Sequence, residues 1–440
     1  MGKKVIVAGM GHGGIAAAAL LAQAGFDVTV YEQKEAGKLG YDWTDIFAPG
    51  ALGIAGIPMP PVTKFEYKVD MTFFGPSFRV GLQQHVPLDN REIKMERADI
   101  YDHLIGHALA QGVKIEYGCR IEAPILFGNR VVGVKTSAGD FYGDLVIDAC
   151  GVDSPLRLQL PDSLGIEKDP GEMGKIYIYR AFYNKGEGAP AEAKYKVMLF
   201  ADGKQGISWV ADEEDYTDVL VGRFEPFDEA EALRFTEVLR ETNPRIGRER
   251  LRGGQFAQIP VRQPLSILVA DGYAAIGDSA FMTVPLIGSG MANCFKAARI
   301  LAETVINDAE CAFNSSTLWP YQVGYYKLLG AGFATLAAAK ATVADLTPDE
   351  IDYIFESGMV TEDDITMGAD FTNLFAAVKL DPKELIVKAK GAISDPKLLK
   401  KFAVAAMRMG KASAACSVMP KKWNRDRVLA WSKMYQLAFK

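Results

Sequence analysis

Apolar positions open the chain in unbroken runs, and alternation takes over later. Val5-Ile6-Val7-Ala8 is uniformly apolar, the pattern of a strand buried on both faces. The Ala-rich stretch Ile15 to Ala24 predicts a helix that Gly25 ends, and Val28-Thr29-Val30-Tyr31 predicts a second strand leading to Glu32. From Gly37 to Pro61 the periodicity lapses, which predicts a long loop with short turns. Phe65 to Val86 reads as strand-like, with Phe65, Tyr67 and Val69 alternating and then Met71 and Phe73. Residues 100–110 form an amphipathic helical pattern with Asp99 as its cap and Gly112 as its close, followed by a strand at Val113 to Glu116. Arg120 to Tyr142 predicts a meander turning at Gly128-Asn129 and Gly139-Asp140, and Leu145 to Asp148 predicts a buried strand.

Residues 165–260 have another rhythm. Four strands are predicted near 176–183, 195–200, 206–210 and 217–222, the first two rich in aromatic residues, with one helix at 229–241. Tyr273 to Ile276 is a further buried strand, and an Ala-rich helix is predicted from Cys294 to Asn307. Beyond about 310 the pattern is helical. Thr347-Pro348-Asp349-Glu350 has the cap, proline and glutamate of a helix start, and Asp381-Pro382 and Asp395-Pro396 start further helices.

Three glycine-bearing turns punctuate these elements. Gly9-Met10-Gly11-His12-Gly13-Gly14 lies between strand and helix, where Gly9 permits a tight turn, Gly11 a close backbone approach to pyrophosphate and Gly14 close helix–strand packing. Gly13 lies in the same turn. The helix N-terminus there offers free N–H groups to phosphate. Glu32, 18 residues after Gly14, is placed to accept both ribose hydroxyls and to repel a 2′-phosphate, so the site suits FAD or NAD and not NADP. A second turn, Gly277-Asp278 followed by Pro285, Gly288, Ser289 and Gly290, places a carboxylate at a strand end and begins a helix beside it. Asp278 suits a ribityl hydroxyl, and a helix N-terminus there suits the negative charge of a reduced flavin ring. A third turn, Cys150-Gly151-Val152-Asp153-Ser154-Pro155-Leu156-Arg157, brings a small hydroxyl and a cation, and Arg97 supplies another cation.

With 440 residues, two or three domains are expected. The net charge of −6 argues against general nucleic-acid binding. Residues 379–440 hold 15 Lys and Arg against 4 Asp and Glu, a net of +11, which leaves −17 for residues 1–378. That basic end is either a solvated helical tail or a face for an anionic membrane surface or acidic partner. No 18-residue uncharged apolar run is present, and the start of the chain leaves no room for a signal peptide, so a cytoplasmic protein, possible also at the inner membrane face, is expected. Five scattered cysteines without a CxxC pair predict neither a disulfide framework nor a zinc site. His103 and His107, spaced i, i+4, read as surface histidines and not as a metal pair.

On these motifs the chain resembles the FAD-dependent oxidoreductases of the p-hydroxybenzoate hydroxylase fold, and within them the geranylgeranyl reductase-like branch, over roughly residues 1–310. The matching positions are Gly9, Gly11 and Gly14; Arg97; Gly151, Ser154 and Arg157; and Gly277-Asp278 with Pro285, Gly288 and Gly290. Cys150 stands where many hydroxylases have Asp, and Trp209 alone survives from the branch's aromatic substrate-sheet element. The resemblance implies an α/β chain: a Rossmann-type FAD-binding domain (1–60, 90–160, 265–310), an antiparallel β-sheet substrate domain (61–89, 161–264) and a C-terminal helical region (311–440). It implies reduction of C=C bonds in an apolar prenyl lipid by hydride from reduced flavin, with ferredoxin or NAD(P)H as electron donor. A flavin monooxygenase of an aromatic substrate and a non-redox prenyl-lipid binding protein are the alternatives. Tyr177, Tyr179, Phe182 and Trp209 are candidate substrate-lining residues. Cys294, Tyr41 and Asp42 are candidate proton donors, and Trp43 and Asp45 lie in the same loop as the latter two.

Overall fold

The computed structural model describes residues 3–169, 171, 174–367 and 395–439; the helix start at Asp381-Pro382 lies outside the described residues. The apolar opening run becomes the strand Lys4–Ala8, which sits inside a six-stranded sheet between Leu145–Asp148 and Asp27–Tyr31, parallel to both. Lys114–Glu116 extends one side of it; Tyr273–Ala275 and the antiparallel Val269–Ala270 extend the other. Its central strands are largely apolar because the sheet is covered: the helix His12–Gln23 packs on it, and the three-stranded meander Ile121–Phe127, Arg130–Thr136, Gly139–Tyr142 packs against Leu145–Asp148, with Val131 and Val134 in the shared core. The Ala-rich helices His12–Gln23 and Met291–Ile306 pack together against this sheet, their small side chains permitting close approach.

A seven-stranded sheet forms the second body, ordered Ile246–Pro260, Lys175–Lys185, Tyr216–Arg223, Ile207–Asp212, Tyr195–Leu199, Thr72–Phe74, Gly81–Gln83. It is not wholly antiparallel as expected: Tyr195–Leu199 runs parallel to Thr72–Phe74. The helix Glu229–Thr242 packs on one face. The C-terminal helices Ala331–Ala344, Pro348–Glu356 and Pro396–Ser417 pack on the other. Thr347 and Glu350 form a reciprocal capping box, and Asp395 caps the last of these helices.

Two expectations need correction. The stretch from Gly37 to Pro61 contains a strand, Thr44–Phe47, and a short helix, Gly50–Ile54; the strand pairs with Ile93–Glu96, a long-range partner invisible to local periodicity. The second helix spans Arg97–Ala110, so Asp99 lies in its first turn and pairs with Lys64 instead of capping it. On that helix His103 meets the Pro58 carbonyl at 2.8 Å.

Candidate active site

The glycine turns meet where the two Ala-rich helices begin. Gly9 has φ +84°, and a Cβ there would stand 2.8 Å from the Ala149 carbonyl oxygen; at Gly14 it would stand 2.5 Å from the Ala149 Cβ. Only glycine fits either place. A Cβ on Gly13 would lie 3.1 Å from Cys294 and from Ile276, so the turn at 9–14 is in contact with the one that follows Ile276. The helices His12–Gln23 and Met291–Ile306 both begin at glycine, Gly11 and Gly290, without a side-chain cap. Their first N–H groups are therefore available to a ligand.

Asp278 sits between them. Its carboxylate makes no hydrogen bond or ion pair with the described residues, and burial, opposed by Arg97, pushes its carboxyl up to about 6. Gly277, Asp278, Gly288, Ser289, Gly290, Gly151, Gly11, Gly13 and Gly14 border one cavity of about 1100 Å3. Two uncapped helix starts suit an anionic pyrophosphate, and an unpartnered carboxylate suits a hydroxyl-rich chain, so these residues fit an FAD-type cofactor.

Other predicted residues support this site from outside the cavity. Glu32 is buried and accepts the backbone N–H groups of Met10 and Lys34, both at 2.9 Å, which holds the first turn. Pro285 is buried behind the second turn. Ser154 does not face the cavity: it caps a short helix and donates to the buried carboxylate of Asp148. Arg157 is likewise buried and donates to the carbonyls of Val152 and Ser279, tying the middle turn to the late one. Arg97 lines the cavity, but its charge is spent on Asp45 through a two-point ion pair, and its guanidinium lies over the rings of Tyr41 and Trp43 at 5.2 and 5.3 Å. Burial alone would raise the Asp45 carboxyl; Arg97 overrides that and holds it below the usual range.

Of the proton-donor candidates, Cys294 and Tyr41 border the cavity and Asp42 does not. Asp42 accepts from Arg252 and the Gly253 N–H on the substrate sheet. Burial, then the charge of Asp278, pushes the Cys294 thiol up, and burial raises the Tyr41 phenol, so both keep their protons at neutral pH. His12, given no role by the sequence, also borders the cavity. It stacks on Tyr101 at 4.9 Å, and burial followed by Arg97 lowers it to about 4, leaving a neutral imidazole whose Nε2 has no hydrogen-bond partner among the described residues.

Strand parity divides the aromatic candidates. In Lys175–Lys185, Ile178 and Arg180 face the cavity, whereas Tyr177 and Tyr179 point to the opposite face, where Tyr179 packs in the cluster with Phe235. Phe182 shares the inward parity but lies beyond the cavity, under Arg252 at 4.0 Å. Trp209 does border it, donating to Asp218 at 3.2 Å, while Arg180 and Asp218 form a buried ion pair beside it. The far wall is one that motif reading missed: Ile351, Ile354, Phe355 and Phe402 from the C-terminal helices, with Leu346 from the connection between two of them.

No family model matches the chain. It is 22% identical over 424 residues to a digeranylgeranylglycerophospholipid reductase from Sulfolobus acidocaldarius, covering 92% of this chain and 91% of that one. The fold matches a geranylgeranyl bacteriochlorophyll reductase-like protein from Thermoplasma acidophilum with a TM-score of 0.72 and 18% identity, over 92% of this chain and 99% of the other. A probable FAD-dependent monooxygenase from Pseudomonas aeruginosa matches at a TM-score of 0.59 and 20% identity, over 81% of this chain and 100% of that one. No helix among the described residues is long and apolar enough to cross a membrane. Over about nine-tenths of its length the chain is thus similar to a named reductase, and it has the fold of the FAD-dependent oxidoreductases.

Proposed function

We propose that this chain binds FAD and saturates C=C bonds of a prenyl-type lipid. The carrying observation is the cavity: it runs from the two glycine turns, where the cofactor would sit, on to an apolar wall that includes Ile351, Ile354, Phe355 and Phe402 of the C-terminal helices. Held at those turns, FAD would supply a hydride to one carbon of the double bond, with ferredoxin or NAD(P)H as the source of its electrons. The protein's residues do the rest. Gly9 to Gly14 and Gly277 to Gly290 hold the cofactor, with Asp278 accepting from its hydroxyls. Trp209, Leu220 and the helical wall orient the chain and exclude water. Cys294 and Tyr41 hold protons at Sγ and the phenolic oxygen, ready for the second carbon. The basic helix Pro396–Ser417, with exposed Leu399 and Met407, supports a peripheral membrane contact.

The test is anaerobic. FAD-loaded protein reduced with dithionite is incubated with a geranylgeranyl lipid, and mass spectrometry counts the hydrogen pairs added. Saturation without oxygen is expected. Turnover that requires oxygen together with NAD(P)H, and leaves an inserted oxygen atom, would replace this reading with the monooxygenase one.

A further inference from the structure

The cavity opens to solvent at Glu66 to Val69. All four residues of that run border it, and Glu66, Tyr67 and Val69 are exposed as well, so they form its rim. Glu66–Tyr67 is a short strand paired with Lys94 and Ile93, and the Lys68 N–H donates to the Glu92 carbonyl at 2.9 Å, so backbone holds the rim in place. The chain reaches it through a segment that hides few of its apolar side chains. His103 donates to the Pro58 carbonyl and Lys64 pairs with Asp99 at 2.8 Å; Asp99 and His103 lie one turn apart on the helix Arg97–Ala110. Between these two ties Pro61, Val62 and Thr63 are exposed, Val62 by 79%, and Met59 is half exposed. Asp70 accepts from the Val86 N–H and from Arg91, which seats the turn Leu88–Asn90, with exposed Leu88, beside this stretch. Exposed apolar side chains scattered singly need no explanation, but Met59, Val62, Tyr67, Val69 and Leu88 gather at one opening.

The stretch has no charge to spare. Residues 58–70 hold Lys64 and Lys68 against Glu66 and Asp70, a net of zero. Lys64 is paired with Asp99, Lys68 with Glu92 at 3.0 Å, and Glu66 with Lys94 at 2.7 Å. A charged protein surface finds no complementary field here, and an anionic bilayer finds no uncompensated cation. What the stretch offers is what settles in the boundary layer of a bilayer: aliphatic side chains, a tyrosine, and lysines whose stems are apolar. The cavity adds a second argument. A lipid whose chain lies past Trp209 against the C-terminal helices has to leave a bilayer, and a mouth set in the bilayer surface spares that chain a passage through water. Entry chain first leaves the head group at the rim, next to water, whatever its charge.

We infer that residues 58–69, together with Leu88, dip into the surface of a bilayer and set the cavity mouth there, held by apolar insertion and not by charge. This rests on the prenyl-lipid reading of the cavity and adds to it the surface through which the lipid arrives.

The experiment uses the full-length protein with FAD added and vesicles of pure phosphatidylcholine, which carry no net charge, at about 0.5 M NaCl, where surface electrostatics are largely screened. Flotation with the vesicles is expected. Val62→Asp combined with Met59→Asp changes two exposed side chains that do not border the cavity. The double variant is expected to partition onto the vesicles about tenfold less, and to saturate a geranylgeranyl lipid dispersed in neutral detergent within about twofold of the parent. As a second measurement, Val62→Cys carrying an environment-sensitive dye is expected to shift its emission to the blue when vesicles are added, and Met407→Cys, on the helix Pro396–Ser417, is not. Binding that needs anionic lipid and fails at this salt belongs to that basic helix and overturns the inference. So does a parent that does not float, a double variant that floats as well as its parent, or an unshifted dye at position 62. A double variant that floats like its parent but loses a dimer in light scattering gives the surface to a second copy of the chain instead. A parent that floats through Val62 yet saturates no lipid leaves the surface assignment standing and overturns the reductase reading.

Discussion

The Ser154 hydroxyl donates to the buried carboxylate of Asp148 at 2.5 Å, and that carboxylate also accepts from Tyr273 at 2.7 Å, Ser279 at 3.0 Å and the Cys150 N–H at 3.1 Å. Four groups, two from the middle turn, one from the late turn and one from the strand Tyr273–Ala275, thus converge on one residue at the end of a central strand. Asp148→Ala strands three of these donors inside the protein; the Ser279 hydroxyl keeps the Gly151 carbonyl at 3.2 Å. It is expected to cost about 3–5 kcal/mol, whereas Ser154→Ala, which removes one donor, costs about 1 kcal/mol. Urea unfolding midpoints of the two variants check the ratio; equal losses would mean the hub is not shared as described.

Asp278 is expected to link stability to pH. Its carboxyl rises from 3.8 to about 6 because burial disfavours the anion, with Arg97 opposing. A carboxyl raised on folding leaves stability intact while it is protonated and erodes it as pH climbs from about 4 through about 6. Without cofactor, Asp278→Asn should therefore match the parent at about pH 4 and exceed it by about 3 kcal/mol at about pH 8. The same variant should retain far less FAD after gel filtration, read by absorbance. A variant that tracks the parent across this range, or keeps its full flavin content, contradicts the role given to Asp278.

Gly14→Ala tests the first turn. The new Cβ would stand 2.5 Å from that of Ala149 and 3.1 Å from a Val7 methyl, so helix and sheet must separate. A loss of about 1–3 kcal/mol is expected, together with weakened FAD binding by isothermal titration calorimetry. Gly128→Ala, in a hairpin turn with open space around it, is the control for positive φ alone and should leave FAD affinity unchanged.

The depth of the cavity should act as a ruler. Ile354, from the helix Pro348–Glu356, borders its apolar end. Ile354→Trp fills that end and is expected to raise KM for a geranylgeranyl substrate about tenfold or more while leaving a geranyl analogue within about twofold, since the shorter chain does not reach the new ring. Equal effects on both lengths would place the chain elsewhere.

Breaking the ion pair beside Trp209 has a definite direction. Arg180 and Asp218 are both about 95% buried, and Arg180 also donates to the Thr44 hydroxyl at 2.6 Å. Arg180→Met leaves Asp218 buried without its cation and should cost about 3–5 kcal/mol. The double variant Arg180→Met with Asp218→Leu should recover much of that loss in thermal unfolding.

The glycine turns were legible because each does a job that only glycine can do at that place, and because strand, turn and helix lie next to one another in the chain. Strand existence in residues 176–222 was legible for a similar local reason. What was not legible was which face each strand buries. Tyr177 and Tyr179 differ from Ile178 and Arg180 only by parity, and parity acquires a meaning only once the partner strands and the helices on either face are known. Ser154 and Asp42 carry the hydroxyl and carboxylate that chemistry would want, yet Asp148 and Arg252 claim them first. The helical wall of Ile351, Ile354 and Phe402 has no motif at all, since its apolar positions are those of any amphipathic helix.

That wall has a consequence for the order in which the protein can be made. Ribosomes deliver the dinucleotide turns and the seven-stranded sheet within the first 290 or so residues, but Leu346, Ile354 and Phe402 emerge well afterwards. Until they do, the inner face of that sheet, with Trp209 and Leu220 on it, has nothing to shelter it from water. A half-synthesised chain is thus a sticky one, and swift completion or a chaperone's hold is what keeps it from clinging to its neighbours.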